Sequence, residues 1–482
     1  MKKLNELYPD VNFDTMIKSI KINSKEVTKG DLFVCTMGVT ADRHDFIDEA
    51  IENGASAIIV SRDVPPKGVP IIKVPDTNRE FPFLCQKFYD YPDTKMTMIG
   101  VTGTDGKTST STIIQTLIGS NLCGYIGTNG RSCAAFTGDN PNTTPDADKL
   151  YAYLDEFVKF GCKYTAMEAS SEAFFRGRLQ SVMYDLSVYT NITSEHLNIH
   201  GSFENYVQCK LQLFRQTKAD GYCILNADDQ LYETVKAACN GKVLTYGSSD
   251  SCDLQIVSFK IFSTKTVINF KYRGETFEVS SPLLGDFNVY NLAAGMLSCL
   301  ALGFKLEDLE KNIPRIKVDG RLDMLNTNTP YYVMVDYAHT PNGISKLLNF
   351  VHTLDVNRSI VVIGAAGERD YQKRPIMGKT VCDNASYAIF TYEDPRSEDP
   401  KDIIDMMVKD IKDTYTNFEI VIDRREAIQR AIDLAKPKDI VLILGKGNET
   451  YQKLKDGKID FNDVEEAYQA VANRNIRESV NS

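Results

Sequence analysis

One stretch of the sequence decides the fold: Met96-Thr97-Met98-Ile99-Gly100-Val101-Thr102-Gly103-Thr104-Asp105-Gly106-Lys107-Thr108-Ser109-Thr110. Its apolar first half predicts a buried strand, its glycines a tight turn, and its last residues the start of a helix. Glycines let backbone N–H groups turn towards a phosphate, and the positive end of the helix adds to that attraction. Lys107 supplies a mobile charge, and the Thr108 hydroxyl can reach a magnesium ion. The stretch therefore predicts a nucleoside triphosphate site.

The strict P-loop pattern places a glycine five residues before Gly106, and Val101 occupies that position here. An ordinary strand-to-helix turn is the competing interpretation, because short Gly-Lys-Thr sequences recur in α/β proteins. The apolar strand before the glycines and the helical pattern of residues 111–118 favour the phosphate site.

The composition is that of a globular protein with several domains. The chain has 482 residues, of which 43% are hydrophobic and 25% are charged, and this length predicts two to four domains. A net charge of −10 argues against nucleic-acid partners and against binding to an anionic membrane. The eleven cysteines form no Cys-x-x-Cys pair, so neither a zinc site nor a disulfide framework is expected.

The sequence shows no targeting signal. Its N-terminal residues lack the apolar run of a signal peptide, and no segment approaches the roughly eighteen apolar residues of a membrane-spanning helix. We therefore expect a cytoplasmic protein with reduced cysteines.

The alternation of strands and helices predicts an α/β fold with three domains. Residues 1–95 are expected to form a small module in which a polar loop containing Ser24 precedes short apolar strands. Residues 96–320 are expected to form a P-loop ATPase-like parallel sheet with a small β insertion at 251–282. Residues 321–482 alternate regularly and predict a Rossmann-like domain.

Polar residues follow two predicted strands of the central domain. Glu168 ends one strand, and Asn191 ends the next, shortly before His196. Parallel strands present their carboxyl ends at one edge of the sheet, so we expect these side chains beside the glycine-rich turn. Asn291 lies near the start of a later helix, where capping and purine binding are both open interpretations.

Lys210 is out of place in the helix predicted over residues 203–216. It shares a helix face with Phe203, Val207 and Phe214, so its ammonium group must either reach past them to solvent or have a buried partner. Solvent exposure at the helix edge is the simpler interpretation. The alternative is a lysine close to metal and phosphates, and a buried neutral amine is reactive enough to be modified.

Four of the five strands predicted in the last domain end in charged or glycine-rich loops at one edge, which favours a binding cleft there. Arg369 and Arg396 suit bidentate pairing with a carboxylate or phosphate, and Glu449 suits an ammonium group.

A series of motifs lies at residues 29–34, 103–108, 142–145, 167–171, 190–191, 196, 200–201, 288, 291, 320–321, 336–341 and 373–375. Their order and spacing resemble the Mur ligase family over nearly the whole chain, and most closely its MurE branch. The resemblance implies a UDP-binding N-terminal domain, an ATP-binding central domain and a C-terminal domain for an incoming amino acid. It also implies a monomer without nucleic-acid or membrane partners.

The resemblance implies a role for individual residues. Those implied for ATP are Gly103, Thr104, Asp105, Gly106, Lys107, Thr108, Ser109, Asn291, Arg321, Asp336 and His339. Those implied for the UDP-linked peptide are Ser24, Asn142, Thr143, Thr144, Ser170, Arg176 and Arg178. Those implied for the amino acid are Arg369, Glu393, Asp394, Pro395, Arg396, Gly445 and Glu449.

Two magnesium ions are implied, with ligands at Thr108, Glu168, His196 and Lys210. Lys210 matches the lysine that the family carbamylates, which turns a cation into a carboxylate-like group and favours the buried interpretation of this residue. The implied catalytic residues are Lys107, Glu168, His196 and Lys210.

The implied reaction joins a diamino acid to UDP-MurNAc-L-Ala-D-Glu in peptidoglycan precursor synthesis. The peptide carboxylate attacks the γ-phosphate of ATP, and the resulting acyl phosphate is attacked by an amine. Two anions approach each other in the first step, so magnesium and Lys107 are expected to neutralise their charge.

The sequence departs from the family pattern at several positions. Asp105 stands where the family usually has Asn, and Glu172 and Asn448 stand where His is frequent. Glu393 and Asp394 replace Asp-Asn, whereas Arg396 is retained and would bind the distal carboxylate of meso-diaminopimelate. Lysine or another amino acid stays open, as do a non-catalytic ATP-binding paralogue and a folylpolyglutamate synthetase-like ligase. The N-terminal module argues against the last of these.

Overall fold

Three sheets flanked by helices follow one another along the chain, which confirms the predicted three-domain α/β architecture. The structure is a computed structural model, and it describes residues 1–11, 13–38, 41–140, 142–262 and 265–480. Within these residues, no helix has the length and apolar character needed to cross a membrane.

The N-terminal domain is built on a four-stranded parallel sheet of short apolar strands. In spatial order these strands are Ile20–Lys21, Leu32–Val34, Ala57–Val60 and Ile71–Lys73. A small antiparallel ribbon joins Lys2–Lys3 to Met16–Ile17. The helices are Leu4–Leu7, Ile47–Glu52 and Thr77–Phe88. The last helix begins at Thr77, where the Asp76 carboxylate caps it by accepting from the backbone N–H groups of Asn78 and Arg79.

The central domain holds one continuous sheet of eleven strands. In spatial order they are Phe136–Gly138, Gly130–Cys133, Cys123–Gly127, Tyr164–Glu168, Thr97–Thr102, Tyr184–Tyr189, Thr217–Asn226, Lys242–Gly247, Leu254–Ile261, Thr266–Tyr272 and Glu275–Ser281. The strand that precedes the glycine-rich turn lies between two parallel neighbours in the middle of this order. The three strands of the predicted β insertion extend one edge of the sheet and are joined to it through the pairs Tyr246–Leu254 and Gly247–Gln255.

The helices of the central domain are Lys107–Ile118, Ala147–Lys159, Ser171–Phe175, Leu197–His200, Phe203–Arg215, Tyr232–Ala237, Asp286–Ala301 and Leu306–Asn312. The helix that carries Asn291 packs against the helix that begins at Lys107. It begins at Asp286, so Asn291 lies in its second turn rather than at its cap.

The C-terminal domain has a six-stranded sheet of Rossmann-like order. In spatial order its strands are Asp323–Met324, Tyr332–Asp336, Ile440–Leu444, Ser359–Ile363, Tyr387–Phe390 and Phe418–Ile420, and all but the first are parallel. Its helices are Pro341–Val351, Lys373–Asn384, Pro400–Val408, Arg424–Leu434 and Asp463–Val480. A hairpin of Tyr451–Leu454 with Gly457–Asp460 was not predicted, because its strands are short and mostly polar.

The two outer domains are attached to the central domain in different ways. Buried apolar residues of helix Thr77–Phe88 and helix Ala147–Lys159 belong to one core that is shared by the N-terminal and central domains. The C-terminal sheet has cores of its own on its two faces, which only a few central-domain side chains join. The C-terminal domain is therefore the one that can move with little loss of apolar contact.

Candidate functional site

A cavity of about 950 Å³ lies between the central and C-terminal domains. It opens where the strands of both sheets end, as the sequence predicted for ligand-binding edges. We call this cavity the cleft. The predicted site residues that line it are Thr104, Asp105, Gly106, Lys107, Thr108, Ser109, Asn142, Thr143, Thr144, Glu168, Ser170, Arg178, His196, Asn291, Arg321, Asp336, His339, Arg369, Glu393, Asp394, Arg396 and Glu449.

Six predicted site residues lie outside the lining of the cleft: Ser24, Gly103, Arg176, Lys210, Pro395 and Gly445. The Ser24 hydroxyl donates to the carboxylate of Glu49 within the N-terminal domain, away from the cleft. Gly445 lies against the Glu393 side chain, where an added Cβ would come within 2.7 Å of Glu393 Oε2.

The phosphate loop, residues 103–108, has the conformation that the glycines predict. Gly106 has a φ of +85°, and a Cβ there would lie 2.5 Å from Asn291 Oδ1. Lys107 Nζ donates to the carbonyl oxygens of Gly103 and Thr104 at 3.0 and 2.9 Å. Both bonds are internal to the loop, so the ammonium group is held where an incoming phosphate can compete for it. Helix Lys107–Ile118 then directs its positive end at the cleft.

Lys210 does not reach solvent. Its side chain is 1% exposed, and Nζ donates to the Gly103 carbonyl at 2.6 Å. Nζ also lies 4.6 Å from the centre of the Tyr206 ring. Burial, together with the charge of Lys107, lowers the pKa of Lys210 well below its usual value. The solvent-exposed interpretation is therefore wrong, and the amine is in the neutral-prone state that modification requires. The apolar face of this helix also differs from the prediction, because Phe203 is 39% exposed.

Glu168 and His196 lie on the cleft wall beside the phosphate loop. Glu168 is fully buried, and its Oε1 accepts from the Tyr125 hydroxyl and the Thr128 backbone N–H, both at 2.8 Å. Burial and then the positive charges of Lys373 and Lys210 lower the pKa of His196 to about 2, so the imidazole is neutral. One oriented carboxylate and one neutral imidazole are suitable metal ligands.

The described residues contain no cluster of three or more His, Cys, Asp or Glu arranged to hold a metal. Glu168 and His196 together fit magnesium, which proteins usually bind through one or two carboxylates and the phosphates of a substrate rather than through a complete protein cage. The Thr108 hydroxyl lies at the same end of the cleft and accepts from Arg321 Nη2 at 3.3 Å.

Three further residues predicted for ATP lie on two walls of the cleft: Asn291 on the central-domain wall, and Asp336 and His339 on the C-terminal wall. Asn291 Nδ2 donates to Asn288 Oδ1 at 2.9 Å, which orients the amide towards the phosphate loop. The Asp336 carboxylate accepts from the backbone N–H groups of Leu322 and Ala338, both at 2.7 Å, and burial raises its pKa. Burial lowers the pKa of His339 well below its usual value.

The Asp105 carboxylate points across the cleft rather than along the phosphate loop. Its Oδ2 accepts from Asn342 Nδ2 at 3.0 Å, and Thr340 Oγ1 lies 3.5 Å from its Oδ1. Thr340 is the N-cap of helix Pro341–Val351, so the negative charge of Asp105 lies at the positive end of a helix in the other domain. This position provides a physical reason for an aspartate where the family usually has asparagine.

Three of the residues predicted for the peptide substrate, Thr144, Ser170 and Arg178, form a hydrogen-bonded group next to Glu168. The Thr144 hydroxyl donates to the Glu168 carbonyl at 2.8 Å, and Arg178 Nη1 donates to the Thr144 carbonyl at 3.1 Å. Arg176 Nε donates to Glu172 Oε1 at 2.7 Å. Burial opposes ionisation of Glu172, but this bond and the charge of Arg176 outweigh it and lower its pKa. Glu172, which departs from the family pattern, is therefore neutralised by Arg176.

The residues predicted for the amino acid surround one end of the cleft. Lys446 is fully buried, and its Nζ lies 2.8 Å from Asp394 Oδ1 and 2.7 Å from Glu449 Oε2. Burial raises the pKa of Glu393 to about 7, against the opposing charge of Lys446. Arg396 has a φ of +55°, and its Nε is buried without a hydrogen-bond partner among the described residues. This pocket offers carboxylates for an ammonium group and a free guanidinium for a carboxylate.

The sequence predictions missed an ion pair that crosses the cleft. Lys373 Nζ, from the C-terminal domain, lies 2.9 Å from Oε1 of Glu195, in the central domain. Glu195 is 4% exposed, and its Oε2 has no hydrogen-bond partner among the described residues. In the sequence, Glu195 directly precedes the predicted site residue His196, and Lys373 lies in a basic motif. These two positions could have indicated that both residues belong to the site.

Two cleft residues on the unpredicted hairpin were also missed. Lys453 and Lys458 line the cleft, next to Tyr451. Their position after Glu449 was visible in the sequence, but the hairpin that turns them back towards Arg396 was not.

Three parts of the chain match family descriptions. Residues 16–89 match "Mur ligase family, catalytic domain", residues 101–299 match "Mur ligase middle domain", and residues 320–447 match "Mur ligase, glutamate ligase domain". The three matched regions follow the order of the three sheets.

Similar proteins are known over nearly the whole chain. A protein of Halalkalibacterium halodurans described as UDP-N-acetylmuramoyl-L-alanyl-D-glutamate--2,6-diaminopimelate ligase is 37% identical, covering 98% of this chain and 97% of its own length. A protein of Oceanobacillus iheyensis described as UDP-N-acetylmuramyl-tripeptide synthetase 2 is 36% identical, covering 93% of each. A solved structure of a ligase with the first description has a TM-score of 0.67 at 29% identity and covers 98% of this chain and 99% of its own.

Proposed function

The chain belongs to the Mur ligase family, and on that premise we propose that it joins a diamino acid, preferably meso-diaminopimelate, to UDP-MurNAc-L-Ala-D-Glu with hydrolysis of ATP. The observation that carries the proposal is the cleft, which has a phosphate loop at one end and a zwitterion-binding pocket at the other. A ligase that activates a carboxylate needs both ends in one enclosed space, because its acyl phosphate must meet the amine before it meets water.

ATP binds with its triphosphate on the phosphate loop. Lys107 leaves the loop carbonyls for the β- and γ-phosphates, and the N–H groups at the start of helix Lys107–Ile118 receive the phosphate oxygens. Arg321 lies 4.2 Å above the Tyr337 ring and beside Thr108, so its charge is held at the phosphate end.

Thr108, Glu168, His196 and a carbamylated Lys210 would hold two magnesium ions. Magnesium supplies the positive charge that lets the peptide carboxylate approach the γ-phosphate. A neutral amine can add to carbon dioxide, and the low pKa of Lys210 makes its neutral form accessible. Addition releases a proton and leaves a carbamate anion beside Lys107, which attracts that anion whereas it repels the protonated amine.

The peptide carboxylate is placed by the group around Thr144, Ser170 and Arg178. This group is hydrogen-bonded to the backbone of Glu168. The distance between the bound substrate carboxylate and the phosphate loop is therefore fixed. In-line attack on the γ-phosphate yields ADP and an acyl phosphate, and attack by the amine then forms the amide and releases phosphate. Positioning and charge neutralisation are the contributions of the protein to both steps.

The amino acid binds at the Arg396 end. Arg396 receives the distal carboxylate, and the acidic group of Glu393, Asp394 and Glu449 receives the distal ammonium. Similarity to proteins described as diaminopimelate ligases, at 33–37% identity, supports diaminopimelate as the amino acid, and a protein described as a tripeptide synthetase is 36% identical. The buried Arg396 Nε without a partner favours diaminopimelate over lysine, because lysine has no distal carboxylate.

We also propose the division into a UDP-binding domain (1–95), an ATP-binding domain (96–320) and an amino-acid-binding domain (321–482). As the family resemblance implies, we propose a monomer that is active by itself in the cytoplasm. Ser24 would bind the uridine diphosphate only after its hydroxyl turns from Glu49.

The test is ADP release from ATP in the presence of UDP-MurNAc-L-Ala-D-Glu and either meso-diaminopimelate or L-lysine. We expect release that needs the peptide and the amino acid together, with diaminopimelate the better substrate. ATP binding without ADP release, with any diamino acid, would instead support the non-catalytic paralogue. Release with a folate in place of the nucleotide-linked peptide would support the folylpolyglutamate synthetase-like alternative.

A further inference from the structure

The hairpin Tyr451–Leu454/Gly457–Asp460 forms hydrogen bonds with the loop that carries Arg396. Gln452, which is 1% exposed, donates through Nε2 to the Glu393 carbonyl at 2.8 Å. The Lys453 backbone N–H donates to Asp394 Oδ1 at 3.2 Å, and the Arg396 backbone N–H donates to the Lys453 carbonyl at 2.9 Å. These three bonds fix Lys453 next to Arg396, on the wall of the cleft.

Two of the acidic groups at this end of the cleft, Asp394 and Glu449, already have a cationic partner. Lys446 forms ion pairs with both Asp394 and Glu449. In the described part of the chain no carboxylate lies within ion-pair distance of Lys453, whose Nζ lies 5.4 Å from the centre of the Tyr451 ring. Arg396 and Lys453, with Lys458 beside the same Tyr451 ring, therefore line the cleft without a carboxylate within ion-pair distance among the described residues.

Two adjacent cations without a counter-ion are unfavourable unless an anion binds between them. Burial and then the charge of Arg396 lower the pKa of Lys453, which is the expected sign of this repulsion. Arg396 also keeps a buried Nε without a partner and a backbone φ of +55° that the bond to Lys453 stabilises. A ligand carboxylate would satisfy both side chains and relieve the repulsion.

We propose that Lys453 and Arg396 together form a two-cation subsite for the distal carboxylate of the incoming amino acid, which makes Lys453 a specificity-determining residue. The inference rests on the proposed function for the identity of the amino acid. It predicts that the contribution of Lys453 appears only with ligands that carry a distal carboxylate. L-Lysine has the same chain and the same α-carboxylate but lacks the distal one, so it is the matched probe.

The experiment measures binding of meso-diaminopimelate and of L-lysine by calorimetry, with the enzyme in its complex with ADP, magnesium and UDP-MurNAc-L-Ala-D-Glu. Lys453→Met removes the charge and keeps the length, and Lys453→Arg restores the charge. Lys455→Met, on the exposed turn of the same hairpin, is the control. We expect roughly 10-fold weaker binding of diaminopimelate to Lys453→Met, equivalent to about 1.4 kcal/mol. Binding of lysine stays unchanged, and Lys453→Arg and Lys455→Met bind like the wild type.

Equal losses for both amino acids would overturn the inference, since they would assign Lys453 to the shared α-carboxylate or to the fold. Unchanged diaminopimelate binding in Lys453→Met, or no binding by the wild type, would also overturn it. The proposed function is tested separately by turnover. An enzyme that turns over diaminopimelate but is indifferent to Lys453 refutes only the subsite, whereas selective binding without turnover refutes only the ligase activity.

Discussion

At the scale of single residues, the site depends on ionisable groups that burial has moved away from their usual charge states. Lys210 is the strongest case, because a fully buried amine is bonded to the carbonyl of the loop that binds phosphate. The sequence left solvent exposure and a buried partner open for this lysine on an apolar helix face, and only its resemblance to the family favoured burial. It could not predict the bond to Gly103, because that bond depends on how the helix packs beneath the loop.

Replacement of Lys210 by alanine is expected to abolish turnover, with a loss of at least about 10²-fold in kcat, because the phosphate end loses a charge-stabilising group. Steady-state ADP release measures this, with Arg215→Ala, an exposed change on the same helix, as the control. Carbon-13 NMR with labelled bicarbonate should show a carbamate signal that Lys210→Ala lacks. Turnover that survives the substitution would leave Lys210 a purely structural residue.

Because the Glu393 carboxyl is buried, we expect amino-acid binding to depend on pH. Burial raises its pKa to about 7, so the carboxyl is largely neutral at pH 6 and largely ionised at pH 8. Only the ionised form attracts the distal ammonium of the ligand, which stays charged over this range. Binding of the diamino acid should therefore tighten as pH rises through 7, by up to roughly 10-fold between pH 6 and 8.

Calorimetric titrations at several pH values, in the non-reacting complex with ADP, measure this change apart from ionisation of the attacking amine during turnover. Glu393→Gln should give weaker binding with a flat pH profile. A variant that keeps the pH dependence of the wild type would assign it to another group.

At the scale of secondary-structure elements, the C-terminal domain depends on a buried ion pair between two helices. Arg424, which begins helix Arg424–Leu434, pairs through Nε and Nη2 with the Asp463 carboxylate at 2.8 and 2.7 Å, and both side chains are fully buried. Arg424 Nη2 also donates to the Leu444 carbonyl at 2.8 Å, where the strand leads into the Lys446 loop. The pair therefore connects helix packing to the amino-acid pocket.

Asp463→Ala should destabilise this part of the domain by about 3–5 kcal/mol, because it leaves a buried guanidinium without a counter-charge. Hydrogen exchange of the helix Asp463–Val480 amides measures the loss locally, which matters because a three-domain chain does not unfold in one step. The double change Arg424→Met with Asp463→Leu removes both charges and should recover most of the protection. Equal exchange in Asp463→Ala and the wild type would show that the pair contributes little.

The elements that the sequence predicted well are those with strong apolar periodicity. The parallel strands at Ala57–Val60, Ser359–Ile363 and Tyr387–Phe390 fall where they were predicted, since their buried residues form unbroken apolar runs. The hairpin after Glu449 could not be found this way. Its residues are polar because one side faces the cleft, so the element that positions Lys453 has no apolar pattern.

At the scale of the whole molecule, the cleft is closed by polar contacts between domains that share little apolar surface. Asp105 with Asn342, and Glu195 with Lys373, cross from the central to the C-terminal domain. The N-terminal domain is held by a shared core instead. The sequence predicted three domains and the edge at which they bind ligands. It could not predict which pairs cross the cleft, because those contacts depend on the relative orientation of two independently formed sheets.

A variant with Asp105→Ala and Glu195→Gln should favour a more open cleft, because it removes the Asp105–Asn342 hydrogen bond and the Glu195–Lys373 ion pair and leaves the separate cores intact. Small-angle scattering is expected to give a larger radius of gyration for this variant than for the wild type. Lys149→Ala, which removes the exposed pair with Glu26 at the N-terminal junction, should leave the radius unchanged. An unchanged radius in the double variant would show that other contacts hold the domains together.

The central claim is that the cleft activates the peptide carboxylate as an acyl phosphate and passes it to a diamino acid. The most direct measurement uses UDP-MurNAc-L-Ala-D-Glu with oxygen-18 in the reacting carboxylate, together with ATP and meso-diaminopimelate. The account predicts that the released phosphate carries one oxygen-18 atom for each amide formed, since that oxygen leaves with the phosphoryl group. Unlabelled phosphate would show that water, and not the carboxylate, attacked ATP, and would contradict the account.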